Sequence, residues 1–187
     1  MGAAGRHKIN RKKSIITGKW AAAFPTIIGI AAIVFALDQA TKFLVVKYIP
    51  LGESWSLSPV VARLFQFTFI TNTGAAFGTF PQFGSLFLVV ALVVIIGIII
   101  FHHHLPTENV WIRMSLGLQL GGAMGNLLDR ILRQYVVDFV DIGFWPIFNI
   151  ADLSIVIGVT VLAYFLWEEE NQLDSSRVYR LKEGRGL

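Results

Sequence analysis

Cysteine is absent from this chain and charge is scarce. Without a thiol there is no cysteine nucleophile, no disulfide and no thiolate-bound metal, so any chemistry must come from oxygen and nitrogen groups. Only 15% of the 187 residues are charged while 55% are hydrophobic, too little polar surface to cover a soluble globule of this size. A mean hydropathy of +0.63 agrees, and the composition reads as a polytopic membrane protein. Histidine is confined to His7 and the run His102–His104. Neighbouring histidines on a helix point in different directions and no acidic ligand pattern accompanies them, so they read as interfacial residues, and neither metal nor cofactor is expected. The net charge of +4 comes from basic residues gathered mostly at the termini rather than along one face, which argues against nucleic-acid binding.

Residues 1–19, with Arg6, Lys8, Arg11, Lys12, Lys13 and Lys19, read as a basic tail without regular structure. Trp20 to about Val46 is long and apolar enough to be a first span rather than a cleaved leader, since Asp38, Gln39 and Lys42 stand where a small-residue cleavage site would fall. Asp38 and Lys42, four residues apart, share a helix face and can neutralise one another. From Tyr48 to Gly78, prolines, glycines and a partly alternating LFQFTFI predict short strands or an interfacial layer. Gly84–Phe101, Met114–Leu128 and Leu153–Trp167 are three further uncharged runs, and Met114–Leu128 carries Gly117, Gly121, Gly122 and Gly125 at spacings that permit close helix packing. A polar tail, 168–187, follows. The expectation is an all-α membrane protein with four transmembrane helices, in one domain spanning 20–167, and a small extracellular β-sheet between helices 1 and 2.

Lysine and arginine concentrate in the amino-terminal arm, the 102–113 turn and the carboxy-terminal tail. The positive-inside rule therefore places both termini in the cytoplasm and the other two connections outside. Asp38, Asn72 and four more acids, Asp129, Asp138, Asp141 and Asp152, converge on that outer face. An ionisable side chain at membrane depth costs roughly 2.5–3.5 kcal/mol on insertion scales, so acids at span edges are candidates for function. With every histidine on the opposite side, a Ser-His-Asp triad has no histidine to use. A Ser-Lys pair between Lys42 and Ser54, Ser56 or Ser58 is conceivable, but carboxylates are the better supply. Two carboxyls sharing a proton can activate water and protonate a leaving amine. They could equally relay protons in a small acid-coupled transporter or channel subunit, and the acids alone leave that alternative open. Asp141 reads as a solvated loop residue, and Asp129, beside Arg130, as an orienting partner.

Five segments carry a resemblance: Asp38-Gln39-Ala40-Thr41-Lys42, Asn72-Thr73-Gly74-Ala75-Ala76-Phe77, Gly121-Gly122-Ala123-Met124-Gly125-Asn126-Leu127-Leu128-Asp129-Arg130, Val136-Val137-Asp138-Phe139 and Phe148-Asn149-Ile150-Ala151-Asp152. In order and spacing they resemble the successive motifs of the bacterial lipoprotein signal peptidases (signal peptidase II), over about residues 24–167. The resemblance implies an aspartic endopeptidase of the bacterial inner membrane, multi-pass, with its active site near the outer face. It would remove the signal peptide from prolipoproteins after diacylglyceryl modification. It implies Asp138 and Asp152 as the catalytic pair. Asn72, Gly74, Asn126, Arg130 and Asn149 would line the substrate site, with Asp38, Lys42 and Asp129 supporting it. The partners implied are the diacylglyceryl-modified prolipoproteins, membrane lipid and globomycin-type inhibitors, with the protein acting as a monomer.

Overall fold

A computed structural model of the chain describes residues 3–74, 84–102 and 105–183. Four long helices and a small sheet make up the fold. The chain runs α1 (Ala3–Tyr48), β1 (Ser54–Trp55), α2 (Pro59–Ala62), β2 (Gln66–Asn72), α3 (Gly84–Phe101), α4 (Val110–Arg133), β3 (Val136–Asp141) and α5 (Ile150–Glu183). Among the described residues, two stretches, Ala23–Tyr48 and Ile150–Gln172, are long and apolar enough to cross a membrane, and Leu86–Ile100 is a shorter apolar helix. Many large apolar side chains on these helices face outward, as a hydrocarbon surrounding permits.

α4 is the central element and packs most extensively against α5 and α1. It buries a row of polar groups, Ser115, Gln119, Asn126 and Asp129, along with Ile112, Leu116 and Leu120. Its glycines set the approach of its neighbours. A Cβ at Gly121 would lie 2.5 Å from the Ala31 carbonyl oxygen of α1, and one at Gly122 would lie 2.5 Å from the Ala151 carbonyl oxygen of α5. The helices come close because those side chains are missing. Asn109 caps the helix start, accepting from the Trp111 N–H at 2.9 Å, and Gln134 ends it in the left-handed conformation at φ 68.

The sheet has the order β1-β2-β3, all antiparallel. It packs through Phe69, Val137 and Phe139 onto Val45 near the end of α1.

Three expectations need correction. The segment between the first two long helices supplies only two of the three strands. The third, β3, comes from the α4–α5 connection, where Val-Val-Asp-Phe-Val supplies three β-branched residues and one aromatic and pairs along β2. Residues 3–19 are not irregular: α1 begins at Ala3, and α5 likewise runs on to Glu183, because extending an existing helix needs no new nucleation. Asp141 is not in a loop but is the last residue of β3.

Candidate active site

The site is built outward from Lys42, which is fully buried. Its ammonium lies 2.9 Å from Asp38 Oδ2, 2.9 Å from Asp129 Oδ2 and 3.0 Å from Asn126 Oδ1, one acceptor for each N–H. That complete set of partners is the condition under which a charge can be buried. The acids are themselves satisfied. Asp38 Oδ1 accepts from the Ala151 N–H at 3.0 Å, and Asp129 accepts from Arg133 Nη1 at 2.7 Å and from the Val137 N–H at 3.3 Å. Gln39 Nε2 donates both to Asp38 Oδ2 and to the Gly125 carbonyl oxygen. Gly125 lies against the Asp38 carboxylate so closely that a Cβ there would collide with Oδ2. This cluster ties α1, α4, β3 and the start of α5 together, and so fixes where the next residues stand.

Three asparagines sit between this cluster and two further carboxylates, and each has its carbonyl end anchored so that its amino end is aimed. Asn72 Oδ1 accepts from the Gly74 N–H at 3.0 Å, which turns Nδ2 onto Asp138 Oδ2 at 2.9 Å. Asn126 Oδ1 accepts from Lys42, which turns Nδ2 onto Asp152 Oδ1 at 2.7 Å. Asn149 Oδ1 accepts from the Asp152 N–H at 2.9 Å, and its Nδ2 donates to Asp138 Oδ1 at 2.6 Å and to Asn126 Oδ1 at 3.2 Å. Asp152 Oδ2 in turn accepts from the Asn149 N–H at 3.4 Å, so the two residues close a reciprocal capping box at the start of α5. Asp138 and Asp152, carried by different elements, are thus joined through Asn149.

Asp138 is almost wholly buried, and its carboxyl is pushed up to about 7, first by burial and then by the negative charge of Asp152, against the bonds from Asn72 and Asn149. Arg130 sends Nη1 to the Asn126 carbonyl oxygen at 3.3 Å and lies over the Phe87 ring at 5.6 Å. Asp141 stands apart from this group at the far end of β3. Burial works against its charge, but bonds from Gln66 Nε2 at 2.7 Å, the Gly143 N–H at 2.9 Å and Thr68 Oγ1 at 2.9 Å outweigh it and hold the carboxyl below its ordinary range.

The structure brings Asp38, Lys42, Asn72, Gly74, Asn126, Asp129, Asn149, Asp138 and Asp152 into one hydrogen-bonded network, with Arg130 attached through its bond to the Asn126 backbone. Asp129 pairs with Lys42 and Arg133, not with the adjacent Arg130. A Ser-Lys pair does not form: Lys42 has its three partners, Ser54 bonds Thr68, Ser56 donates to the Ser58 carbonyl oxygen and Ser58 caps α2. Ala75 to Phe77 of the second motif, and His103 and His104, lie outside the described residues. Gln39 and Arg133 escaped the sequence reading. Arg133 carried a usable signal, being four residues after Asp129 on the same helix.

Fold and site together define a membrane enzyme with a carboxylate-rich polar centre held between its helices and a small sheet. The model of the family described as signal peptidase (SPase) II matches residues 30–168. The lipoprotein signal peptidase of Halothermothrix orenii is 41% identical over 141 residues, 75% of this chain and 94% of that protein. That of Shouchella clausii is 43% identical over 151 residues, 79% and 97% of the two chains. A bacterial membrane enzyme solved by the in meso method at 2.3 Å superposes with a TM-score of 0.72 at 31% identity, over 79% of this chain and 91% of that one. The chain belongs to the signal peptidase II family.

Proposed function

We propose that the chain is an aspartic endopeptidase that cleaves the signal peptide from diacylglyceryl-modified prolipoproteins, with Asp138 and Asp152 as its catalytic pair. The observation that carries this reading is the link from Asp138 through Asn149 to Asp152, with Asp138 holding its proton near neutral pH. Charge balance supports it. Asp38, Asp129, Asp138 and Asp152 face Lys42, Arg130 and Arg133, so a single proton on the dyad makes the centre neutral. In the reaction Asp152, ionised, takes a proton from water as the oxygen attacks the scissile carbonyl carbon. Asp138 donates its proton to the carbonyl oxygen. Collapse of the tetrahedral adduct expels the amine, which receives a proton from Asp152, and the proton on the adduct's hydroxyl returns to Asp138. Arg130, whose Nη1 bond is to its own helix turn, supplies positive charge beside the pair and has donors to offer a substrate carbonyl.

Four helices crossing a bacterial inner membrane, with both termini cytoplasmic and the sheet outside, suit this role. The substrate's lipid then stays in the bilayer while its peptide reaches Asp138 and Asp152. The test is incubation of the purified protein with a diacylglyceryl-modified precursor. Release of the signal peptide, inhibition by globomycin and loss of release in Asp138→Asn and Asp152→Asn are expected. Substantial turnover by a folded Asp138→Asn variant overturns the assignment. Single cysteines at Ser56 and Gly143, in a chain that has no other, should label from the outer side.

A further inference from the structure

A cavity of about 390 Å³ lies between the end of α1 and the sheet, with no carboxylate in its lining. α1 supplies Leu44, Val45 and Tyr48 to it, and the sheet supplies Trp55, Phe67 and Phe139. Its size is within the roughly 300–1,000 Å³ of small-molecule sites. Phe139 follows Asp138 on β3, and successive strand residues point to opposite faces, so the sheet stands between this cavity and the dyad. The proposed reaction makes no use of it.

Three observations say what fills it. Ile33, Leu37 and Leu44 share one face of α1, all more than half exposed, and the cavity opens at the end of that stripe through Leu44. A surface of this kind on a span is covered by acyl chains, so the cavity is continuous with the bilayer. Lys47, in the last turn of α1, holds its ammonium 5.1 Å from the centre of the Tyr48 ring, which lines the cavity, and 5.8 Å from that of Phe43. A cation above an apolar slot at the end of a span matches a lipid whose phosphate lies beside its acyl chains. Tyr48 and Trp55, both mostly exposed, are the residue types that settle at the headgroup level.

The geometry points to a binding site for an anionic glycerophospholipid of the bilayer, one acyl chain lying between the end of α1 and the back of the sheet and the phosphate on Lys47. The neutral diacylglyceryl group of the proposed substrate is not the occupant, because it has no phosphate for Lys47 and is attached next to the bond that must reach the opposite face of the sheet. Such a lipid braces the sheet, and with it β3, against α1.

The test uses the full chain, stripped of lipid in detergent micelles, and phosphatidylglycerol brominated on its acyl chains. The signal of Trp55 is the difference in fluorescence between the wild type and Trp55→Phe, which keeps an aromatic wall. Saturable quenching of Trp55 is expected, with affinity lowered about fivefold by Lys47→Gln. Leu44→Phe, which narrows the mouth without adding a second indole, should abolish saturation while leaving thermal stability in place. Brominated diacylglycerol should bind several-fold more weakly than the phospholipid. Quenching that rises linearly in the wild type and both variants alike means simple mixing in the micelle and overturns the site. Equal affinity for diacylglycerol, or no effect of Lys47→Gln, overturns the headgroup assignment and leaves Lys47 as a partner of the helix dipole alone. None of these readouts depends on proteolysis, so a failure here is distinct from a failure of the proposed reaction.

Discussion

Asn149 donates to Asp138 at 2.6 Å through the amino end of an amide whose carbonyl end caps α5. One side chain therefore does two jobs, and substitutions can separate them. Asn149→Ala loses both, with about 1 kcal/mol of stability gone with the cap. Asn149→Ser restores a good cap but is too short to reach Asp138. The expected outcome is that serine recovers thermal stability while proteolysis stays as low as in the alanine variant. Matched stability and activity measurements on the two variants check it, and recovery of activity by serine would reduce Asn149 to a cap.

Asp138→Asn and Asp152→Asn should each lower cleavage by about a thousandfold or more, and the double variant should be scarcely worse than either, because the residues act as one unit. The acid and base limbs of a pH–rate profile then belong to the pair. With the Asp138 carboxyl at about 7, activity falls as pH rises through that value and the shared proton is lost. A double variant whose losses multiply would show two independent groups instead.

Lys42 satisfies two buried acids and one amide at once. Lys42→Met leaves Asp38 and Asp129 without it, a change that costs on the order of 3–5 kcal/mol when one partner of a buried pair is removed. The yield of folded protein should drop sharply. Adding Asp38→Asn to Lys42→Met should restore part of it, a coupling that a double-mutant cycle on thermal stability measures.

Gly125→Ala drives a methyl group into the Asp38 carboxylate, while a Cβ at Gly97 meets nothing within 4 Å. The first change should destabilise the protein by about 1–3 kcal/mol and the second should be silent. The same pair of variants tests whether the Asp38 position matters for the reaction, since cleavage per folded molecule should fall only in Gly125→Ala.

The spacing of Asp38 and Lys42 announced their ion pair, and the glycines of α4 announced its close neighbours, because helical periodicity is local. Asn126 and Asp152 could be placed on helix ends for the same reason. That Lys42 reaches Asp129 and Asn126, 84 or more positions on, is a product of packing and has no local signature. β3 was missed for a related cause: Asp138 in the middle of Val-Val-Asp-Phe-Val breaks the apolar run, and what makes it a strand is its partner β2, 66 to 75 residues away for the bonded side chains of Asn72 and Gln66. Asp141 looked solvated because its partners, Gln66 and Thr68, belong to that same distant strand.

The Asp138 carboxyl gives a last test that needs no substrate. In the unfolded chain it titrates near 3.8, and in the folded protein at about 7. The folded state thus holds the proton more tightly. The stability this contributes is fully present below pH 3.8 and is lost as pH rises through about 7. The span sets an upper bound of about 4 kcal/mol, which other titrating groups overlay. Asp138→Asn cannot titrate, so the difference in melting temperature between variant and wild type should shift in the variant's favour as pH goes from 5 to 8, and then level off. The absolute offset is a separate matter, since Asn72 and Asn149 both donate to this carboxyl and an amide can satisfy only one of them with its oxygen. Only the slope reports the proton. A flat difference between pH 5 and 8 would mean that Asp138 is ionised throughout, and the roles of the two carboxylates in the proposed reaction would have to be exchanged.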